Sequence, residues 1–112
     1  MFERGKLVLV PFPFTDLTAQ KIRPALIVSR PKIRASDVIV AFVSSRETKK
    51  IDQAIVPIKA NENNGLKSDS VVRCDKLATL DRKIVLGEIG KLDLPAIQKI
   101  NQALTFTLGL SK

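Results

Sequence analysis

The 112-residue sequence has no histidine, no tryptophan and no tyrosine, and a single cysteine, Cys74. One thiol closes no internal disulfide, and without imidazole there is no Cys–His zinc site and no Cys–His or Ser–His catalytic pair. Aromatic residues make up 4% of the chain, all of them phenylalanine, too few for an RNA-recognition sheet that depends on several exposed rings. Phe12 and Phe14 alternate through PFPF and share a face. They are expected in the core, with stacking on unpaired bases as the other use of such a pair. No run of eighteen apolar residues occurs, and a charge pair in MFERGK precedes the first apolar stretch. Neither a membrane span nor a signal peptide is expected, and the chain reads as cytoplasmic. GEIGK lacks the GxxxxGK[ST] pattern, so a nucleotide-binding P-loop gains no support.

What the sequence does have is positive charge. Nineteen Lys and Arg stand against eleven Asp and Glu, a net charge of +8, which favours an anionic partner. Residues 1–34 alone carry +5, so an electropositive site should draw on the first third. With 45% apolar residues, a chain of this length buries one modest core. A single domain over residues 1–112 is expected, without repeats or linkers.

Lys6–Val10 is a β-branched apolar run closed by Pro11 and Pro13, and Ala25–Ser29 is a second strand beginning after Pro24. Val38–Ser44 is apolar on both faces and therefore central. Ala54–Lys59 and Ser70–Asp75 follow as strands, separated by the turn Asn61–Gly65, whose Asn and Gly tolerate positive φ. Leu80–Lys83 is expected as one helical turn and Leu86–Lys91 as the last strand. Asp93 suits an N-cap, Pro95 sits in the first turn, and Ile97, Ile100, Leu104 and Leu108 recur at helical spacing up to Gly109. Short strands and one terminal helix imply a mainly β fold: a small, strongly bent antiparallel sheet or partly open barrel with a C-terminal helix.

Strand alternation puts Arg73 and Asp75 on one face, about 7 Å apart, and Val72 and Cys74 on the other. Cys74 is then a small core hydrophobe. Arg73 and Asp75 suit either a surface ion pair or a site. Arg23, stiffened by Pro24, suits either a solvated cation or a phosphate clamp. Ser44 and Ser45, ending the third strand without a partner base, suit hydrogen bonding to a substrate or loop capping. Spacing alone leaves these alternatives open.

Taken in order, GKLVLVPFPFTD, KIRPALIVS, VIVAFVSS, NGLKSDSVVRCDKLATLD and IGKL resemble the MazF/PemK/Kid family of toxin ribonucleases from type II toxin–antitoxin modules, over nearly the whole chain. The resemblance implies an SH3-like barrel with a C-terminal helix, working as a homodimer. It implies cleavage of single-stranded RNA, typically mRNA at short motifs, without metal or other cofactor, and silencing by a cognate antitoxin with a flexible acidic tail. In one branch the arginine of the R-P element and a Thr or Ser ending the third strand are catalytic, matching Arg23 and Ser44. In the Kid-like branch the arginine and aspartate of V-V-R-C-D serve, matching Arg73 and Asp75. Phe14, Thr15 and Lys21 in the first loop, with Ser45 and Arg46 after the third strand, are the corresponding substrate contacts. The chain departs from the Kid-like pattern in lacking a first-loop histidine, and from the common pattern in having Lys21-Ile22 where glycine precedes R-P. CcdB-like relatives that bind gyrase and cleave nothing, and a basic nucleic-acid-binding module without activity, are the alternatives on this scaffold.

The implied reaction is attack of a ribose 2′-hydroxyl on the neighbouring phosphorus, leaving a 2′,3′-cyclic phosphate and a 5′-hydroxyl. Asp75 is the expected base, its groove required to raise it from the ordinary aspartate value near 3.9. Arg23 and Arg73 are expected to stabilise charge, because guanidinium is a poor proton donor.

Overall fold

The computed structural model describes residues 3–12, 21–30, 36–45 and 51–110. Six strands, β1 (Lys6–Phe12), β2 (Lys21–Ile27), β3 (Asp37–Ser44), β4 (Ile55–Ile58), β5 (Ser70–Asp81) and β6 (Gly87–Lys91), precede one helix, α1 (Leu94–Thr107). Every strand pairing is antiparallel, in the order β4-β5-β3-β2-β1-β6. The sheet curls into a half-barrel, and the turn after β4 bridges its two edges: Lys91 N donates to Asn63 O at 2.9 Å. Asn64 builds that turn from inside. Its Oδ1 accepts from Asn61 N and Leu66 N while its Nδ2 donates to Lys59 O. Gly65 follows at φ +69, and a Cβ there would collide with the Ile89 carbonyl of β6, so this close approach of edge to edge requires glycine.

β3 is central, between β2 and β5, as its apolar character on both faces predicts. Alternate residues feed two separate cores. Leu7, Leu26, Ala41, Val43 and Val72 enter the first, which α1 covers with Ile97, Ile100, Ala103 and Leu104. Val8, Val10, Ala25, Ile27, Val38 and Val40 enter the second, capped by Leu80, Ile84 and Val85.

Several boundaries differ from expectation. β2 begins at Lys21, ahead of Pro24, because β1 pairs with it from Lys21 onward, whereas β3 pairs only with Ala25–Ile27. The missing Pro24 N–H thus falls where pairing to β3 has ended and β1 alone supports the strand. Likewise β1 runs through Pro11 to Phe12, paired with β2. β5 is twice the expected length, and Leu80 and Asp81 are strand, not helix. The helical turn is a short 3₁₀ segment over Arg82–Ile84, capped by the Asp81 carboxylate accepting from Lys83 N at 2.9 Å.

The length of β5 conceals a large bulge. Its register against β3 passes from Arg73↔Phe42 to Leu77↔Ala41, so Cys74, Asp75 and Lys76 are set against a single step of the partner. Such an insertion bends the strand and re-aims its side chains. It also switches parity. Before the bulge the even-numbered Val72 and Cys74 face the first core, whereas after it the even-numbered Ala78 and Leu80 face the second.

α1 is capped as expected. Asp93 Oδ1 accepts from Ala96 N at 2.9 Å with Pro95 in the first turn. The helix ends at Gly109 (φ +72), with Gly109 N donating to Phe106 O and Leu110 N to Thr105 O, a Schellman arrangement. Leu108 departs from the expected apolar stripe. It is the C-cap residue, its N–H still donating to Leu104 O, yet its side chain is 56% exposed.

Candidate active site

The second core changes character toward one end of the sheet. Along β2 the series Ile27, Ala25 continues to Arg23. Along β3 the series Val38, Val40 continues through Phe42 to Ser44, and along β1 Val8, Val10 continues to Phe12. Arg73 lies opposite Phe42. Period-two alternation therefore carries a buried apolar face out into a cleft of about 530 Å³ lined by Arg23, Ser44 and Arg73 together with Phe12, Phe42 and Lys76. Arg23 and Arg73, fifty residues apart in sequence, thus border the same space.

Phe12 is not a core residue. It is 41% exposed and meets Phe42 edge to face at 5.2 Å between ring centroids. The second core ends one pair of residues earlier, at Val10, and the two rings form the apolar wall of the cleft.

Arg73 and Asp75 form a bidentate ion pair, Nε to Oδ1 at 2.9 Å and Nη2 to Oδ2 at 2.8 Å. This hydrogen-bonded pairing raises Arg73 above its ordinary value and holds Asp75 below the usual carboxylate range, with partial burial opposing both shifts. The expectation that the groove raises Asp75 is therefore corrected: the guanidinium outweighs desolvation. Cys74 is fully buried in the first core, and burial pushes its thiol up to about 11, as befits packing.

Lys21 opens β2, exposed and opposite Phe12 across the strand pair. Ser45 is exposed and turns away from Ser44, into a second cleft of about 480 Å³ that Arg23 also borders, with Ile22, Pro24, Leu66 and Ile89 among its walls. Phe14, Thr15 and Arg46 lie outside the described residues. Among the described residues no group of three or more Asp, Glu or Cys side chains stands close enough to hold a metal ion, and no helix is long and apolar enough to cross a membrane.

Two residues of the cleft were not legible as such. Phe42 looked like one more apolar residue of a central strand. Lys76 was hidden by the bulge: simple alternation through β5 puts it on the Cys74 side, whereas the switch in parity returns it to the side of Arg73.

No curated protein matches the sequence. Among solved structures, a mycobacterial endoribonuclease in complex with its cognate antitoxin is similar at 22% identity, covering 100% of this chain and 99% of its own, with a TM-score of 0.80. Mycobacterium tuberculosis toxin MazF-mt6 is similar at 24% identity over 96% of this chain and 99% of its own, with a TM-score of 0.77. MazF in a MazE–MazF structure from Deinococcus radiodurans is similar at 23% identity over 98% and 97%, with a TM-score of 0.78. These likenesses establish the fold, the curled sheet with its terminal helix. The family model of PemK-like, MazF-like toxins matches residues 3–108. On that match, spanning both halves of the cleft, the chain belongs to the PemK-like, MazF-like toxins of type II toxin–antitoxin systems.

Proposed function

We propose that the protein is an endoribonuclease toxin that cuts single-stranded RNA, mRNA in particular, by intramolecular attack of a 2′-hydroxyl and without a metal ion. Residues 1–112 act as one toxin domain, cytoplasmic and homodimeric, held in check by a cognate antitoxin whose flexible acidic tail complements the +8 charge. Family membership supports the reading, as do the similar structures described as endoribonucleases and as antitoxin complexes. The observation that carries it is the convergence of Arg23 and Arg73 on one cleft with an apolar aromatic wall.

In the proposed reaction Arg23 and Arg73 bind the scissile phosphate and stabilise the added negative charge of the pentacoordinate phosphorus. Ser44 donates its hydroxyl to a phosphate oxygen. The incoming phosphate competes with Asp75 for Arg73, and loosening of the bidentate pair frees a carboxylate oxygen to accept the 2′-hydroxyl proton. Lys21 and Ser45, with Phe14, Thr15 and Arg46, contact flanking nucleotides.

The test is incubation of the pure protein with single-stranded RNA in excess EDTA, followed by determination of fragment ends. Cleavage with 2′,3′-cyclic phosphate and 5′-hydroxyl ends is expected. Intact RNA together with inhibited gyrase contradicts the reading in favour of a CcdB-like toxin, and salt-sensitive binding without cleavage contradicts it in favour of a passive binding module.

A further inference from the structure

The reaction just described removes a proton from the 2′-oxygen and leaves the departing 5′-oxygen without one. Resting on that reading, we propose that Lys76 is the general acid that protonates the 5′-oxygen as the phosphorus–oxygen bond breaks.

Three observations carry this. First, the bulge at 74–76 returns Lys76 to the Arg73 side of β5, and its side chain lines the same cleft as Arg23, Ser44 and Arg73. Second, the described lining of the cleft offers two guanidinium groups and one ammonium. A guanidinium remains protonated throughout the working range and is a poor donor, whereas an alkylammonium is the stronger acid and donates along any of three N–H bonds. Arg73 is further occupied, by Asp75 in the resting site and by the scissile phosphate in the proposed reaction. Third, Lys76 lies next to the proposed base, close enough that its charge acts on Asp75. The chain has no histidine to take either part.

The step balances. The O2′–P bond forms as Asp75 takes the 2′-hydroxyl proton, and the P–O5′ bond breaks as Lys76 gives a proton to O5′. Asp75 is left neutral and Lys76 as the free amine, and solvent exchange restores both because each is exposed. A cationic strand-anchoring role for Lys76 predicts different behaviour, so the two are separable.

The experiment uses the full chain, Lys76→Arg and Lys76→Met, and an oligonucleotide carrying one cleavage site already mapped with the wild type. The oligonucleotide is made with either oxygen or bridging sulfur at the scissile 5′ position. A thiolate leaves without protonation, so loss of a general acid is rescued by the sulfur substrate. Both variants are expected to cut the oxygen substrate about 10²-fold or more slowly than wild type, and the sulfur substrate within about threefold of it. Wild-type cleavage of the oxygen substrate by Lys76→Arg overturns the assignment, since charge alone then suffices. Equal slowing of the variants on both substrates also overturns it, since Lys76 then only positions RNA. Failure of the wild type to cut any single-stranded RNA overturns the nuclease reading and this inference with it, before any variant is made.

Discussion

The two faces of the curled sheet are built from the same alternating strands but end differently. The face under α1 carries the first core, which the helix covers with Ile100 and Ala103, 1% and 2% exposed. The opposite face is sealed at one end only, by Leu80, Ile84 and Val85. At the other end the same positional series delivers Phe12, Arg23, Ser44 and Arg73 into open space. The scaffold thus presents charged groups from two strands, β2 and β5, without any of them entering the core. Substitutions on the covered face should act on stability, and substitutions at the open end should act on RNA.

The largest effect is expected at the open end. Asp75→Asn keeps the shape of the side chain and removes the base, so single-turnover cleavage should fall by about 10²- to 10⁴-fold while RNA affinity stays nearly intact. An unchanged rate would move the chemistry to Arg23 and Ser44. On the covered face, Ile100→Ala should cost about 2–5 kcal/mol of unfolding free energy in a denaturant titration, and the fraction still folded should cut RNA at the wild-type rate. Phe12→Ala tests the aromatic wall. Loss of a stacking surface should weaken single-stranded RNA binding by about 1–3 kcal/mol, with little change in stability because the ring is 41% exposed.

The smallest effect belongs to the Arg73–Asp75 pair as a stabilising contact. Asp75 is held below its ordinary value in the folded protein, so the pair contributes fully above the unfolded aspartate value. That contribution disappears as pH falls through the lowered folded value. With Asp75 more than a third exposed, solvent screening limits it to at most about 1 kcal/mol. Thermal melts of wild type and Asp75→Asn should differ slightly at neutral pH and converge below about pH 4.

Much of this asymmetry was legible in the chain. The apolar character of β3 on both faces marks a central strand, and Asp93, Pro95 and Gly109 delimit the helix because caps act locally. Alternation at VVRCD places Arg73 beside Asp75 and Cys74 in the core. What local rules miss is set by partners far along the chain. β2 starts before Pro24 because β1 pairs with it there, on a stretch that β3 leaves unpaired. β5 continues past Asp75 because β3 continues beside it, and a three-residue bulge against β3 has no sequence signature in CDK. Phe12 is exposed because the second core stops at Val10, a boundary drawn by packing and invisible to composition.

The central claim is that Arg23 and Arg73 act on one phosphate from two strands. A double-mutant cycle on single-turnover cleavage of single-stranded RNA in EDTA, with Arg23→Ala, Arg73→Ala and the pair, measures it. Joint action predicts a double variant far less impaired than the product of the two single losses. Losses that multiply, or a single variant that cuts as fast as wild type, would contradict it.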